Sequence, residues 1–229
     1  MNQQLPLTLY LKPGERIPQK ILDQLKEANA KYSKSHHFPD YKKDIRDIFG
    51  LKDCQLTEKY KHYLAGFVEG EGSLNVGAKK NTTSRLRVYL DPEFSVTQHV
   101  NGVKNLYAVM CELQTGRIRH KTGSNATLIL TIDNRRSLVE KVLPFYQKYI
   151  LPFGSDPKKR RYDIFVKLLD LFDKKAHLDY DQMVHEILPL YDEMRCQKAQ
   201  SNQIFTSLQD AQDYVKAAEI AYRAQNKDK

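Results

Sequence analysis

The chain of 229 residues has no tryptophan and only three cysteines, Cys54, Cys111 and Cys196. Thiols this few and this far apart exclude a disulfide framework. Without a Cys-x-x-Cys pair they also exclude the common zinc motifs. They imply buried free thiols in a reducing compartment. No apolar run approaches the roughly 20 residues that span a bilayer, which excludes a transmembrane helix. The opening, MNQQLPLTLYLKPGERIPQ, lacks the apolar stretch of a signal peptide and the Arg- and Ser-rich character of a transit peptide. The chain is therefore expected in the cytosol or nucleus, or inside the organelle that makes it. Acidic residues are locally scarce: none lies between Gly72 and Leu90, and only Glu112 lies between Phe94 and Ile132.

What is present is a basic, globular composition. Lys and Arg number 37 against 28 Asp and Glu, a formal charge of +9, with 41% hydrophobic residues. Such a chain can build a sizeable core. Its charge favours an acidic partner, nucleic acid or an anionic surface, with solubility as the alternative use.

Residues 1–52 read as an accessory segment. A turn-rich LKPGERIP precedes helical apolar spacing from Ile17 to Tyr32, and a short helix from Tyr41 to Phe49 is closed by Gly50. Residues 57–70 predict a strong helix, capped by Thr57, with Tyr60, Tyr63, Leu64, Phe67 and Val68 on one face. The period then changes to two in SLNVGAKK, RLRVYL and EFSVTQ, with Asp91-Pro92 expected to bend or bulge the chain. A helix over Val100 to Leu113 precedes a hairpin, GRIRHKTGSNATLILTID. Helices are predicted again over 137–149, 158–173, 180–200 and 208–224. Helix, two strands, helix, two strands, helix predicts an α+β fold: a four-stranded antiparallel sheet with helices on one face. Residues 53–200 would form this core and 201–229 a helical tail.

Arg85 and Arg87 lie two apart, as do Arg117, Arg119 and Lys121. In a strand that places them on one face, with the apolar alternation on the other. An antiparallel sheet often wets one side, but like charges on one face repel unless a polyanion meets them. A basic sheet face therefore predicts nucleic-acid contact, and β-ribbons fit the major groove.

LAGFVEGEGS, residues 64–73, raises the chemical question. Read alone it is an amphipathic helix ending in a Gly-rich turn. Its small pair, Ala65-Gly66, also permits a close approach of two helix backbones. If the partner is a second copy, a two-fold axis brings Glu71 beside its twin. Two crowded carboxylates call for hard divalent cations, which suit phosphodiester chemistry.

This stretch resembles the signature of the LAGLIDADG homing endonucleases, through Ala65-Gly66, Gly70-Glu71-Gly72 and Ser73. One copy is present, which resembles the single-motif, homodimeric branch. EFSVTQHVNGVKNLY and TGRIRHKTGSNATLILTIDN are similar to members encoded by group I introns of algal chloroplast large-subunit ribosomal RNA genes. The resemblance implies the family's αββαββα core and the following roles. Glu71, helped by the carbonyl of Gly70, is the metal ligand, with Mg²⁺ as cofactor, Mn²⁺ substituting and Ca²⁺ supporting binding without cleavage. Gln98 is the active-site glutamine that positions water, and Lys158 in DPKKRRYDIF is the active-site lysine. Read alone, KKRR is a solvated or phosphate-binding charge run. Four residues beyond Gln98, where a basic residue is frequent in the family, this chain has Gly102. Leu64, Ala65, Gly66 and Phe67 are expected at the dimer interface. DNA contacts are expected from Asn75, Gly77, Lys79 and Asn81, then Arg85, Arg87, Tyr89, Glu93 and Ser95, then Arg117, Arg119, Lys121, Asn125 and Thr127.

The implied function is site-specific double-strand cleavage of a long near-palindromic target in a large-subunit ribosomal RNA gene. The implied partners are duplex DNA and a second copy, in the chloroplast. The alternatives are an RNA-binding maturase acting on intron RNA, or a non-catalytic DNA-binding regulator on the same scaffold.

Overall fold

The computed structural model describes residues 9–34, 37–196 and 204–225. Helices α1 (Gln19–Lys34), α2 (Phe38–Phe49) and α3 (Glu58–Glu71) lead into strands β1 (Gly72–Lys80) and β2 (Val88–His99). A 3-10 turn, Val100–Gly102, opens α4 (Val103–Leu113), which is followed by β3 (Arg117–His120) and β4 (Thr127–Ile132). Three longer helical runs follow: α5 over 135–150, α6 (Asp156–Asp173) and α7 over 180–196. The last is α8 (Leu208–Gln225). Of the expected helix over 180–200, residues 197–200 lie outside the described residues. The strands form one antiparallel sheet in the order β1-β2-β4-β3, the α+β architecture that the periodicity predicts. No described helix is long and apolar enough to cross a membrane.

The chain divides into two units, Met1–Ser73 with Phe94–Gly154 and Leu74–Glu93 with Ser155–Lys229, and β2 runs through the division. In the first unit, Phe94, Val96, Leu128, Leu130 and Ile118 are fully buried beneath α4. In the second, Phe165, Leu168, Ile187 and Val215 form the core. Each such side chain contributes about 1.5–3 kcal/mol of apolar burial.

The first 52 residues give the first unit α1 and α2, and these close the edge of the sheet. Asn29 donates from Nδ2 to the Ile118 carbonyl (2.9 Å), and the Tyr41 hydroxyl accepts from the Ile118 N–H (2.9 Å). A free strand edge invites pairing with other chains, and side chains here occupy it. Burial pushes the Tyr41 phenol well above its ordinary range, so it stays a neutral hydrogen-bonding group.

Two local expectations change. The second strand begins at Val88, not at Arg85. Arg87 has φ 53° and closes a turn in which the Asn81 N–H donates to its carbonyl (2.8 Å). Leu86, Val88 and Leu90 are all buried, so the period of two runs back into the turn and misleads the sequence reading. The interruption read at Asp91-Pro92 does not break the strand: β2 is continuous to His99.

The α3–β1 junction explains one of the signature glycines. Thr57 caps the helix start by accepting from the Tyr60 N–H (3.3 Å). At the far end the Gly72 N–H donates to the Val68 carbonyl, and a Cβ at Gly72 would lie 2.5 Å from that oxygen. Backbone cannot swing aside there as a side-chain tip can. Gly72→Ala is expected to destabilise the fold by about 2 kcal/mol, the cost of overpacking. Denaturant unfolding measures this, and a loss below about 0.5 kcal/mol would show that the helix end relaxes instead.

Candidate active site and nucleic-acid interface

The helix that carries the signature presents two different faces. Leu64 and Ala65 are buried in this chain's own core, at 0% and 4% exposure. Tyr63, Gly66 and Gly70 are exposed, and Phe67 is half-buried. A Cβ added at Gly66 or Gly70 would meet nothing within 4 Å. This corrects the expected interface. Four successive residues cannot share one side of a helix, so Leu64 and Ala65 hold α3 to its own protomer. Gly66 and Phe67 reach the surface, together with Tyr63 and Gly70, which the sequence reading left out.

The two acids of the motif also separate. Glu69 is half-buried, with one carboxylate oxygen shielded from solvent, whereas Glu71 is exposed at the last turn of α3. Among the described residues no three His, Cys, Asp or Glu side chains gather as a metal site. Glu71 and the adjoining backbone carbonyl of Gly70 are hard oxygen donors that suit Mg²⁺ or Ca²⁺, ions that fill their shells from water and phosphate. The donor set fits such an ion once a second carboxylate and a phosphodiester are added.

Gln98 is the next-to-last residue of β2, opposite Leu128 on β4. Its strand parity matches Phe94 and Val96, so it lies on the helix side of the sheet and not on the outer face. Its Oε1 accepts from the His99 N–H (2.8 Å). The turn beyond is tied down: His99 Nδ1 accepts from the Asn101 N–H (3.2 Å), and the Asn101 amide exchanges two 2.8 Å bonds with the backbone of Leu11. A Cβ at Gly102 would fall 2.7 Å from Cγ and 2.9 Å from Cδ of Gln98. The missing side chain at Gly102 is therefore the space that Gln98 occupies.

In the second unit, the basic run of α6 resolves into distinct roles. Arg161 is buried and donates to the carbonyls of Leu74 (2.5 Å) and Met194 (2.9 Å) and to Asn75 Oδ1 (2.9 Å). Arg160 pairs through both nitrogens with Glu193 (2.7 and 2.8 Å), which holds that carboxyl below its usual range. Lys158 is half-buried and Lys159 exposed.

The outer sheet face has its expected register. Arg117 lies opposite Thr131, itself opposite Ser95, and Arg119 lies opposite Ile129, itself opposite Thr97. Arg119, Lys121, Asn125, Gly77, Lys79 and Tyr89 are exposed. Others in the expected contact set are already engaged. Asn75 accepts from Arg161, Asn81 accepts from the Thr83 N–H and hydroxyl (2.9 and 2.7 Å), and Ser95 is buried. The Arg117 guanidinium sits 5.5 Å over the Tyr32 ring, and Lys79 pairs with Asp91 (3.3 Å). Arg87 lies in the turn, with Glu93 and Thr127 half-buried. Arg85 is held by Glu219, a partner 134 residues away that no local pattern announces.

Known proteins share this architecture. A family model described as LAGLIDADG endonuclease matches residues 64–169. The DNA endonuclease I-CeuI of Chlamydomonas moewusii is 52% identical over 206 residues, covering 90% of this chain and 94% of that protein. The solved structure of the group I intron-encoded homing endonuclease I-CeuI complexed with DNA aligns with a TM-score of 0.87 at 51% identity, over 90% of this chain and 100% of that one. The archaeal intron-encoded homing endonuclease I-Vdi141I, also complexed with DNA, aligns with a TM-score of 0.64 at 28% identity, over 72% of this chain and 99% of that one.

Proposed function

The chain belongs to the LAGLIDADG endonuclease family, and from that premise we propose that it is a site-specific DNA endonuclease of intron homing. It acts as a homodimer and cuts both strands of a long, near-palindromic duplex. The observation that carries this reading is the exposed Glu71 at the end of a helix whose Gly66–Gly70 face is open. One chain offers one such acid, and two strands need two, so a two-fold pair of α3 helices supplies the set.

Our reading of the cofactor is Mg²⁺, held by the Glu71 carboxylate and the Gly70 carbonyl and supplying charge neutralisation at the phosphodiester. The remaining work belongs to side chains. Glu71 fixes negative charge where the scissile phosphate must be met by cations. The Gln98 amide, both donor and acceptor, orients a water by hydrogen bonds without removing its proton. Lys158 offers positive charge to the phosphoryl oxygens as they gain charge. Arg160 is committed to Glu193 and Arg161 to backbone carbonyls, so neither arginine is assigned this role.

On the outer face, Arg119, Lys121 and Lys79 supply phosphate or guanine contacts, while Asn125 offers an amide to adenine. Helices α1 and α2 buttress β3, and α8 supports the second unit. The target is read as a large-subunit ribosomal RNA gene and the site of action as the chloroplast.

Linearisation of a plasmid carrying the intronless gene, with Mg²⁺, tests the reading. One defined double-strand cut is expected. Binding without a cut would make the protein a regulator, and preference for intron RNA over the duplex would make it a maturase.

A further inference from the structure

The turn between β1 and β2, residues 81–87, is expected to follow the DNA, yet Arg85, whose side chain is 42% exposed, is already paired with a carboxylate of this chain. Arg85 donates from Nε to Glu219 Oε2 (2.7 Å) and from Nη2 to Oε1 (2.5 Å). This is a bidentate fork, the geometry in which Arg binds carboxylate most firmly. Glu219 lies on α8 and its side chain is only 4% exposed. Arg223, one helical turn on, donates to the same carboxylate (2.7 Å). The two cations hold the Glu219 carboxyl down at about 2, with the Arg85 hydrogen bonds as the larger cause, so it is ionised throughout the physiological range.

Three rings of the same C-terminal region extend the contact. The Arg85 guanidinium lies 5.2 Å over the Tyr222 ring, and Lys80 Nζ lies 4.8 Å over Tyr214 and 5.9 Å over Phe205. Both ends of the turn are therefore gripped from α8 and the residues just before it. The turn itself is internally braced, by the Asn81–Arg87 backbone bond and the Asn81 side chain.

The geometry points to α8 as a specificity-determining positioning element, in which Glu219, through Arg85, fixes the β1–β2 turn against its own stretch of the DNA target. The alternative use of these residues is plain stabilisation of the unit. The two differ in consequence. An ion pair that is only structural changes stability alike on every substrate. A positioning pair changes which base pairs are discriminated, and only where this turn lies, because phosphate and base contacts need sub-ångström placement to discriminate. Arg85 in this arrangement is a support rather than a reader, and Lys80 likewise. The reading that remains falls to neighbours such as the exposed Tyr89.

This inference rests on the endonuclease reading, and the test separates the two. Wild-type protein and Glu219→Gln are compared for Mg²⁺-dependent cleavage of target variants, each with one base pair changed. Wild-type protein that cuts no target at all would overturn the endonuclease reading. If it cuts selectively, Glu219→Gln is expected to lose roughly tenfold in discrimination at one short cluster of base pairs in each half-site. That is the size of a single lost base contact. Cleavage of the unaltered target at saturating enzyme should stay near the wild-type rate. An unchanged profile, or a loss spread evenly over all positions, would overturn the positioning role. Should Glu219→Gln melt below the assay temperature, Tyr222→Leu carries the test, since it removes the aromatic ring under Arg85 at a partly exposed site and leaves the Arg85–Glu219 pair in place. The same cluster should then relax about threefold, and a wild-type profile would overturn the inference.

Discussion

Glu71→Gln is expected to abolish cleavage while leaving DNA binding in place. The change is nearly isosteric and removes one negative charge from an exposed helix end, so the fold has little to lose. What disappears is the anionic oxygen that holds the divalent cation. Metal stabilisation of a phosphoryl transition state amounts to several kcal/mol. At about 1.4 kcal/mol per tenfold, the rate should fall on the order of 1,000-fold or more. The measurement pairs cleavage in Mg²⁺ with binding in Ca²⁺, on wild type and variant. Cleavage at more than about a tenth of the wild-type rate would remove Glu71 from the metal site. The acid to test next would then be Glu69, two residues back and turned to another side of the helix.

The second large effect runs against charge intuition. Gly102 stands where the resemblance to the family implies a basic residue, so Gly102→Lys would supply the expected charge. It is nevertheless expected to lower cleavage. The backbone at Gly102 has φ −99° and ψ 13°, which other residues can adopt, so the obstacle is not conformational. The new Cβ would lie 2.7 Å from Gln98 Cγ, and the flexible glutamine would give way rather than the turn, which Asn101 and Leu11 hold. Displacing a water-positioning amide by about an ångström costs roughly 100-fold in rate.

Gly102→Ala, which carries no charge, should show the same loss, with Ca²⁺-supported DNA affinity and thermal stability close to wild type. The decisive arm places Gly102→Ala in a Gln98→Ala background, where the glutamine is already gone. No further loss is expected there, because two residues acting through one contact are not additive. Equal losses in both backgrounds would locate the effect of Gly102 elsewhere.

Much of this protein was legible because its signals are local. Thr57 before a 3.6-residue apolar stripe predicts a capped helix, and Gly50 predicts a helix end. Both stand where expected, Gly50 with φ 60°. The alternation of Arg117, Arg119 and the buried Ile118 carries the hairpin and its faces within a few residues. The signature acid and glutamine came from resemblance rather than from periodicity. The structure adds that Glu71, not Glu69, is the exposed acid of the pair.

Where the reading went astray, a local pattern stood for a non-local cause. Leu86 continued the strand alternation because it is buried in a turn, and Arg85 looked like a strand-face cation because Glu219 is invisible from 134 residues away. Glu219 and Arg223 pair at i, i+4 on one helix, but the third charge that makes the pair a clamp comes from Arg85, far off in the chain. Ala65 looked like a contact for a second chain, yet it packs inward, since small residues serve close approach on either side of a helix.

Element order, sheet faces and the chemistry of the motif thus follow from the sequence, because hydrogen bonding and side-chain direction repeat over two to four residues. Which cations remain for DNA, which side of α3 stays open and why Gly102 bears no side chain were decided only in three dimensions. Each depends on a group that the chain brings near from another element, and burial and Coulomb attraction act on distance in space, not along the sequence.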